Sequence, residues 1–228
     1  MTNYFKILKI PFLVLRDFGK FLLIYMPGDF GVKLRYIYYK NKFKKCGKNV
    51  IIDTGVHFDG IELISIGNNV HIDKYCIIST GKKLIGNIKR KRNHNFNGTE
   101  GTIVIGNDAH ITQFCIIMGY GGVEIGNKFV MSSGSKIYSL TNTAYDLSDK
   151  SKIISLMPYA QAPFLCSPVV IKDNVWLGLN TIIMPKVTIG SNSFSVSNSV
   201  LLSDFEENSY ISGHPAKKIR TRFQTNSL

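Results

Sequence analysis

Apolar side chains recur every six residues along most of the chain. Four runs carry the period: Ile66, Ile72, Ile78 and Leu84; Ile105, Ile111 and Ile117; Ile125, Met131 and Ile137; and Ile171, Leu177, Ile183, Ile189 and Leu201, with Ser195 as a polar exception. A helix repeats its apolar face about every 3.6 residues and a strand every two, so neither explains this spacing. Three six-residue faces make one coil, in which Ile66 is expected to stack beneath Leu84, and Ile171 beneath Ile189. The pattern predicts a three-sided prism of parallel strands with at least four coils.

The residues around each apolar position fit the corners of such a prism. Glycine follows the apolar residue at Gly67, Gly106, Gly126 and Gly190, usually with Asn or Asp next, and these residues tolerate the positive φ of tight corners. Small or compact residues stand two places before it: Val70, Cys76, Ala109, Cys115, Ser135, Val175, Thr181, Val187, Ser193 and Ser199. Because Cys76 and Cys115 share this slot, we expect both thiols to be buried rather than reactive.

The six-residue register fails at 80–102, 118–124 and 138–168. Counting faces from Ile66 puts all three interruptions at one corner, between the third face of a coil and the first face of the next. Loops on one edge of a rigid scaffold are where function is expected. The first interruption contains the basic stretch NIKRKRNHNFNGTEG, which is either a solvated excursion or a contact for phosphate or anionic glycans.

The segments outside the repeat divide the chain into three parts: a helical N-terminal cap at 1–45, the β-helix at 46–212 with insertions at about 80–102 and 138–168, and a basic C-terminal tail at 213–228. In the first part, one helical face carries Phe5, Leu8, Phe12, Leu15, Phe18 and Leu22, with a break expected at Pro11. Arg16, Asp17 and Lys20 divide the apolar stretch into runs too short for a transmembrane helix, so none is expected. Two interpretations stay open: a cap on the core, or an interfacial helix on the inner membrane, helped by the basic aromatic stretch 35–48.

The net charge of the chain favours anionic partners but does not identify a single one. The sequence has 28 Lys and Arg against 15 Asp and Glu, a formal charge of +13, which attracts phosphate-rich partners or anionic surfaces. No nucleic-acid-binding motif accompanies it, so no nucleic acid partner is expected. The four cysteines are scattered and follow no secretory leader, which favours reduced thiols in the cytoplasm. No metal is expected, because no His, Cys and carboxylate residues show ligand spacing.

Three segments, PVVIKDNVWLGLNTIIMPKVTIG, NSFSVSNSVLLSD and YISGHPAKKIR, together resemble the hexapeptide-repeat acyltransferases, especially the sugar O-acetyltransferase branch. The resemblance spans about residues 46 to 220. It implies an all-β, left-handed parallel β-helix that assembles as a homotrimer and binds CoA in grooves between neighbouring prisms. It also implies acetyl-CoA as donor and a sugar as acceptor.

The resemblance assigns cofactor contacts by position. Trp176, Gly178 and Leu179 would flank the pantetheine arm with Ser197, and Lys217 and Arg220 would neutralise the nucleotide phosphates. A cluster of basic residues just after the last coil independently favours phosphate: Lys217, Lys218, Arg220 and Arg222. Two alternatives stay open, a merely solvated basic tail and a Trp176 that packs between subunits. Ser203 stands where the family often has lysine, so the resemblance does not supply that cofactor contact here.

This chain departs from the resembling enzymes at the position of the catalytic base. Acetyl transfer needs a group that takes a proton from the acceptor, and the family uses a histidine in the loop that here reads YSLTNTAYD. That position is Asn142, whose amide cannot act as a base but could donate a hydrogen bond. His110, in the same slot as His71 and Trp176, is the first candidate, and His94 in the basic insertion is the second. Asp146 would orient a histidine or hold a sugar hydroxyl.

These observations predict an acetyl-CoA-dependent O-acetyltransferase that modifies a sugar or surface-polysaccharide precursor by direct transfer with general-base activation. One alternative is a catalytically inactive CoA-binding or assembly subunit with the same fold, which Asn142 favours. Another is a trimeric scaffold without ligand, which Trp176 and the basic terminus oppose. The sequence leaves open which sugar is modified and whether its oxygen or its nitrogen receives the group.

Overall fold

The computed structural model describes residues 4–81, 88–142 and 164–223. Two helices, α1 (Tyr4–Tyr25) and α2 (Gly28–Tyr39), precede a left-handed parallel β-helix of six coils. A closing hairpin ends the described chain. The prism expected from the six-residue period is confirmed.

Each face of the prism is one sheet of stacked parallel strands. The first face contains β1 (Lys45–Cys46), β4 (Ile64–Ile66), β8 (Ile103–Ile105), β11 (Val123–Ile125), β16 (Val169–Ile171) and β19 (Thr188–Ile189). The second contains β2 (Ile51–Ile52), β5 (His71–Ile72), β9 (His110–Ile111), β12 (Val130–Met131), β17 (Trp176–Leu177), β20 (Phe194–Ser195) and the hairpin strands β22 (Ser209–Gly213) and β23 (Ala216–Thr221). The third contains β3 (His57–Asp59), β6 (Ile77–Thr80), β10 (Ile116–Gly119), β13 (Lys136–Tyr138), β18 (Ile182–Ile183) and β21 (Val200–Leu201).

The stacking register agrees with the period except at one place. Ile171 pairs with Ile189, as expected from the sequence. The stacking of Ile66 beneath Leu84 is wrong: Ile66 pairs with Ile105, because the chain leaves the prism after β6 and returns only at β8. Leu84 itself lies outside the described residues. An insertion therefore lengthens the sequence between two coils without disturbing the stack.

The core is a thin aliphatic column. The periodic apolar side chains are buried, as are the small residues predicted at the corners, including Cys76 and Cys115. The hydrogen bond with Cys115 and burial raise the pKa of the Cys76 thiol, in keeping with an inert packing role. Ser195, the polar exception, is buried and its hydroxyl lies 3.0 Å from that of Thr181. The core thus tolerates this serine because it has a hydrogen-bonding partner.

The Asn and Asp residues that follow the glycines form a ladder at the corner between the first and second faces. The Oδ1 atom of Asn107 accepts hydrogen bonds from the backbone and side-chain nitrogens of Asn68. Asn127 does the same for Asn107, and Asp173 for Asn127. Each coil therefore satisfies polar groups of the coil before it, which explains the repeated IGN sequence physically.

The register interruptions lie at one corner, between the third and first faces, as predicted. There β7 (Ile88–Arg90), β14 (Leu140–Asn142) and β15 (Phe164–Cys166) form a separate sheet that joins the two long insertions. Asn93 is buried, and its amide donates to the carbonyl oxygens of Pro168 and Lys186. The described part of the basic insertion is therefore fixed to later coils of the prism.

The helices cap the first coil only in part. Helix α1 runs through Pro11 without ending, so the break expected there is wrong. From Leu13 onwards its apolar side chains are mostly exposed, with Leu15 at 70% and Phe18 at 57%. Among the described residues, no helix is long and apolar enough to cross a membrane.

A buried arginine fastens both helices to the prism. Arg35 of α2 donates from Nε to the carbonyl oxygen of Ile52 at 2.8 Å, and from Nη1 to those of Met26 and Leu23 at 2.7 and 3.2 Å. Asp53 lies 4.0 Å away, and burial lowers the pKa of Arg35. A single cation therefore joins the end of α1, helix α2 and the first coil.

Replacing Arg35 by methionine keeps most of the side-chain volume and removes the donors. We expect the free energy of unfolding to fall by about 2 kcal/mol, because three carbonyl oxygens lose a charged donor. Urea unfolding followed by circular dichroism measures this. Lys33→Met, at an exposed site on the same helix, is the control and should change stability by less than about 0.5 kcal/mol. Equal midpoints for the two variants would contradict the role of Arg35.

Candidate active site

One line of side chains runs along the outer surface of the second face. In each strand the residue before the inward apolar position points outward, and the pairing register aligns these residues from coil to coil. We call them the second-face stripe: His71, His110, Val130, Trp176, Phe194 and Tyr210. The stripe is continuous from two histidines at one end to three aromatic rings at the other.

The aromatic end of the stripe is ordered by contacts between its rings. Trp176 and Phe194 meet edge to face with centroids 5.7 Å apart, and Phe194 and Tyr210 follow at 5.0 Å. The indole Nε1 of Trp176 donates to Ser132 Oγ at 2.9 Å, although 45% of Trp176 is exposed. The guanidinium of Arg220 lies 4.2 Å from the centroid of Tyr210. The stripe therefore ends in a cation held over an aromatic ring.

In the closing hairpin, the basic residues of the C-terminal cluster point to two different sides of the sheet. In its antiparallel register, Arg220 opposes Tyr210 and Lys217 opposes Ser212, so both point to the outer surface of the second face. Lys218 opposes the inward Ile211 and forms an ion pair with Glu206. The segment expected as a tail is thus partly a strand, and a bulge in it brings Lys217 and Arg220 to one side.

Arg222 has a structural role instead. Its Nη1 donates to the carbonyl oxygens of Asn174 and Ser193 at 2.9 and 3.0 Å. Burial lowers the pKa of Arg222, and its guanidinium lies 4.7 Å from the centroid of Phe223. These bonds hold the end of the hairpin against the last coils, so Arg222 does not belong with the cations available to a ligand.

The other predicted cofactor residues lie beside the stripe. Leu179 and Ser197 are exposed at the corner between the second and third faces. Gly178 is buried, and a Cβ atom there would lie 2.6 Å from the carbonyl oxygen of Ser195. Close packing between coils therefore requires glycine at this position. Any contact of Gly178 with a cofactor would have to use its backbone.

His110 lies on the same surface as Trp176, two strands away, which corresponds to about 10 Å. Its Nε2 is 3.2 Å from Asp73 Oδ1, and His71 Nε2 is 3.0 Å from the same oxygen. The two imidazole rings are stacked with centroids 5.0 Å apart. Because a carboxylate oxygen only accepts hydrogen bonds, each of these contacts requires an N–H at Nε2.

Within one chain, the candidate catalytic residues Asn142 and His94 lie far from His110. Asn142 ends β14 at the corner between the third and first faces, which is the corner opposite the second face. His94 is exposed in the basic insertion near that same corner. Asp146 lies outside the described residues. A single prism therefore has His110 and Asn142 on opposite sides.

Sequence reasoning missed several members of the stripe. Phe194 and Tyr210 each precede an inward residue, as His71, His110 and Trp176 do, so the same rule could have found them. Asp73 is harder to find, because it lies 37 positions before His110 and meets it only through coil stacking. The sequence shows no ligand spacing, yet coil stacking brings His71, Asp73 and His110 together, with possible ligand atoms within 4.8 Å of one another.

Comparison with known proteins places this arrangement in a class. No protein-family model matches the chain. The chain is 32% identical over 180 residues to the dTDP-4-amino-4,6-dideoxy-D-glucose acyltransferase of Escherichia coli, covering 79% of the chain and 83% of that protein. Galactoside O-acetyltransferase of Escherichia coli K12 is 40% identical over 53 residues, which are 23% of the chain and 26% of the enzyme.

Solved structures of similar fold are also acyltransferases. AntD, an N-acyltransferase from Bacillus cereus in complex with dTDP and 3-hydroxybutyryl-CoA, superposes with a TM-score of 0.62 at 25% identity, covering 83% of this chain and 88% of AntD. A hexapeptide-repeat acetyltransferase from Vibrio cholerae complexed with acetyl-CoA has a TM-score of 0.56 at 19% identity, with 90% and 85% covered, and shares the fold. The chain belongs to the hexapeptide-repeat acyltransferases.

Proposed function

We propose that the protein transfers an acetyl group from acetyl-CoA to a sugar, on the surface of the second face. The observation that carries the proposal is the second-face stripe. It runs from the candidate base His110 to the three aromatic rings, which lie beside the exposed cations Lys217 and Arg220. Such a surface offers apolar contact for an extended thioester arm and charge for its phosphates. The relatives that bind CoA and act on sugars support this assignment.

On the donor side, Trp176, Leu179 and Ser197 would contact the pantetheine arm, with the backbone of Gly178 beneath it. Lys217 and Arg220 would bind the nucleotide phosphates. Arg220 is suited to this because Tyr210 holds its guanidinium in place, which reduces the side-chain entropy lost on binding. This arrangement directs the thioester end of the donor towards the middle coils, where His110 lies.

On the acceptor side, His110 would act as the general base. The hydrogen bond from its Nε2 to Asp73 fixes the ring, so Nδ1 can take the proton as the acceptor atom attacks the thioester carbonyl carbon. The carbon–sulfur bond then breaks, and the CoA thiolate leaves with a proton. Asn142 would donate a hydrogen bond to the acceptor or the developing oxyanion, and Asp146 would orient the acceptor.

Asn142 could take part only in an assembly, because its corner faces away from the second face of its own chain. The outer surface of the third face carries the apolar side chains Ile77, Ile116, Ile182 and Val200, which favour contact with another copy. Lys136 interrupts this line, and its Nζ donates to the carbonyl oxygen of Gly134. We therefore propose a homotrimer in which the insertion corner of one copy faces the stripe of the next.

Two acceptor classes remain, and a specific observation supports each. A sugar hydroxyl was expected from the motifs, and the local match to galactoside O-acetyltransferase agrees with it. A sugar amine is favoured by the relative that matches over 79% of the chain, which acts on a dTDP-linked amino sugar. A nucleotide-linked acceptor would also use the basic surface of the chain, and either product could serve as a surface-polysaccharide precursor.

We also propose that the protein works in the cytoplasm and that α1 contacts the inner membrane. The exposed Val14, Leu15 and Phe18 beside Arg16 and Lys20 make an apolar and basic surface suited to anionic lipid. Co-sedimentation with anionic vesicles tests this contact, and recovery of all the protein in the supernatant would refute it.

The proposed function is tested by incubating the purified protein with acetyl-CoA and single acceptors. These are dTDP-4-amino-4,6-dideoxyglucose, dTDP-glucose and a simple galactoside. We expect thiol release together with an acetylated sugar, identified by mass spectrometry, for at least one acceptor. Product from the amino sugar alone would assign nitrogen as the acceptor. CoA binding without turnover on a wider acceptor panel would favour the inactive subunit, and no CoA binding at low salt would refute the proposal.

Removing either outer cation should weaken the donor complex. We expect Lys217→Gln and Arg220→Gln each to raise the dissociation constant for CoA about tenfold, because each loses a charge-assisted contact with phosphate. Isothermal titration calorimetry at low salt measures this. Lys218→Gln is the matched control on the same strand, since Lys218 points to the other side and pairs with Glu206. Equal effects in all three variants would indicate only nonspecific charge attraction.

Removing the proposed base should affect turnover and leave donor binding unchanged. We expect His110→Ala to lower kcat by about 100-fold or more, with the dissociation constant for CoA unaltered. Steady-state thiol release with the best acceptor measures the rate. His94→Ala serves as the comparison and should retain full activity. Unchanged rates in His110→Ala, His94→Ala and Asn142→Ala would remove the whole catalytic assignment.

The assembly is tested by placing a charge on the third face. We expect the wild-type protein to be a trimer by size-exclusion chromatography with light scattering, and Ile116→Lys to be largely monomeric, because a buried unpaired lysine opposes association. Val104→Lys, at an outward position of the first face, is the control and should stay trimeric. A monomeric wild-type protein with full activity would refute the proposed role of Asn142.

A further inference from the structure

Three possible metal ligands converge near the first coils of the second face. His71 and Asp73 are two residues apart and both point outward, and His110 reaches the same point from the neighbouring strand. The two Nε2 atoms lie 3.0 and 3.2 Å from one oxygen, Asp73 Oδ1. Two residues of one coil and one of the next thus present three ligand atoms to a common point.

The distances suit a divalent ion. Zinc binds imidazole nitrogen and carboxylate oxygen at about 2.0–2.2 Å, so ligand atoms around a tetrahedral ion are about 3.3 Å apart. The two separations measured from Asp73 Oδ1 are close to this value and need only a small expansion to admit an ion. The imidazole rings are stacked with their planes 14° apart, so they must tilt towards each other for both Nε2 lone pairs to meet one ion.

The surroundings also allow an ion to enter. The side chains of His71 and His110 are 40% and 45% exposed, and that of Asp73 is 19% exposed. Water could therefore complete the coordination shell. Two neutral imidazoles and one carboxylate form a donor set that suits Zn²⁺ and its transition-metal neighbours better than Ca²⁺ or Mg²⁺, which require mainly oxygen.

We propose that His71, Asp73 and His110 form a binding site for one Zn²⁺-like divalent ion per chain. In the metal-free protein, two protons on the Nε2 atoms take the place of the ion. Metal binding and hydrogen bonding to Asp73 are therefore alternative states of the same three side chains.

The ion would act as an inhibitor of acyl transfer, a consequence that rests on the proposed function. A neutral imidazole bound to metal through Nε2 carries its proton on Nδ1. His110 then has no lone pair with which to take a proton from the acceptor. Zinc and the general-base reaction would exclude each other at one ring.

Zinc binding is tested on the untagged full-length protein by isothermal titration calorimetry with ZnCl₂. We expect one ion per chain, and we expect His71→Ala and Asp73→Asn each to weaken binding at least about tenfold. Both residues are at the surface, and circular dichroism checks that the variants are folded. His57→Ala, an exposed histidine on the third face, is the control and should bind zinc as the wild type does. Absent binding, or equal affinity in all four proteins, would overturn the site.

Turnover gives a second and separate measurement. We expect zinc to inhibit the wild-type enzyme reversibly, with chelator restoring the rate, and to inhibit His71→Ala only at about tenfold higher concentration. Zinc binding without inhibition would keep the metal site and overturn the blocking of His110. An enzyme inactive without metal on every acceptor would count against the proposed function, whereas the calorimetric result would still decide the metal site.

Discussion

The parallel hydrogen-bond ladder between coils is the constraint on which the rest of the molecule depends. Because neighbouring strands lie about 4.8 Å apart in fixed register, a residue in one coil has its counterpart directly above it in the next. The inward positions then form one aliphatic column, and the outward positions form lines on each face. The second-face stripe is such a line. The backbone register aligns its side chains, and contacts between neighbouring rings then order them.

The same constraint explains how much of the fold the sequence could predict. An inward residue must be apolar or hydrogen-bonded, and a corner must be small or tolerate positive φ, so both leave a periodic trace, as at Ile171 and Gly190. The pairing of Ile66 could not be predicted as easily, since Leu84 continues the period by chance within an insertion. Helix α1 was likewise misjudged at Pro11, because a long helix can retain a proline when its other hydrogen bonds persist.

The candidate site was only half predictable for a related reason. Trp176 and His110 occupy a slot defined by the repeat, so their place on one surface followed from counting. Asp73 meets His110 only through the stacking of two coils, and Arg222 was counted with Lys217 because sequence proximity does not show which side of a bulged hairpin a residue faces. Asn142 lies within an insertion, where the period gives no information. Contacts made by stacking, bulges and insertions are those that a local pattern does not record.

Outward positions are free of the packing constraint of the core. This freedom explains why relatives with the same fold are named for different acceptors. A prism tolerates almost any side chain on its outer faces, whereas the column inside permits few, so fold and coil sequence persist while acceptors change. A match to an O-acetyltransferase over 53 residues and a match to an amino-sugar acyltransferase over 180 residues are then compatible. Under the proposed function, the donor would lie along the last coils and the insertions at the opposite corner would contact the acceptor, so a change in one need not disturb the other.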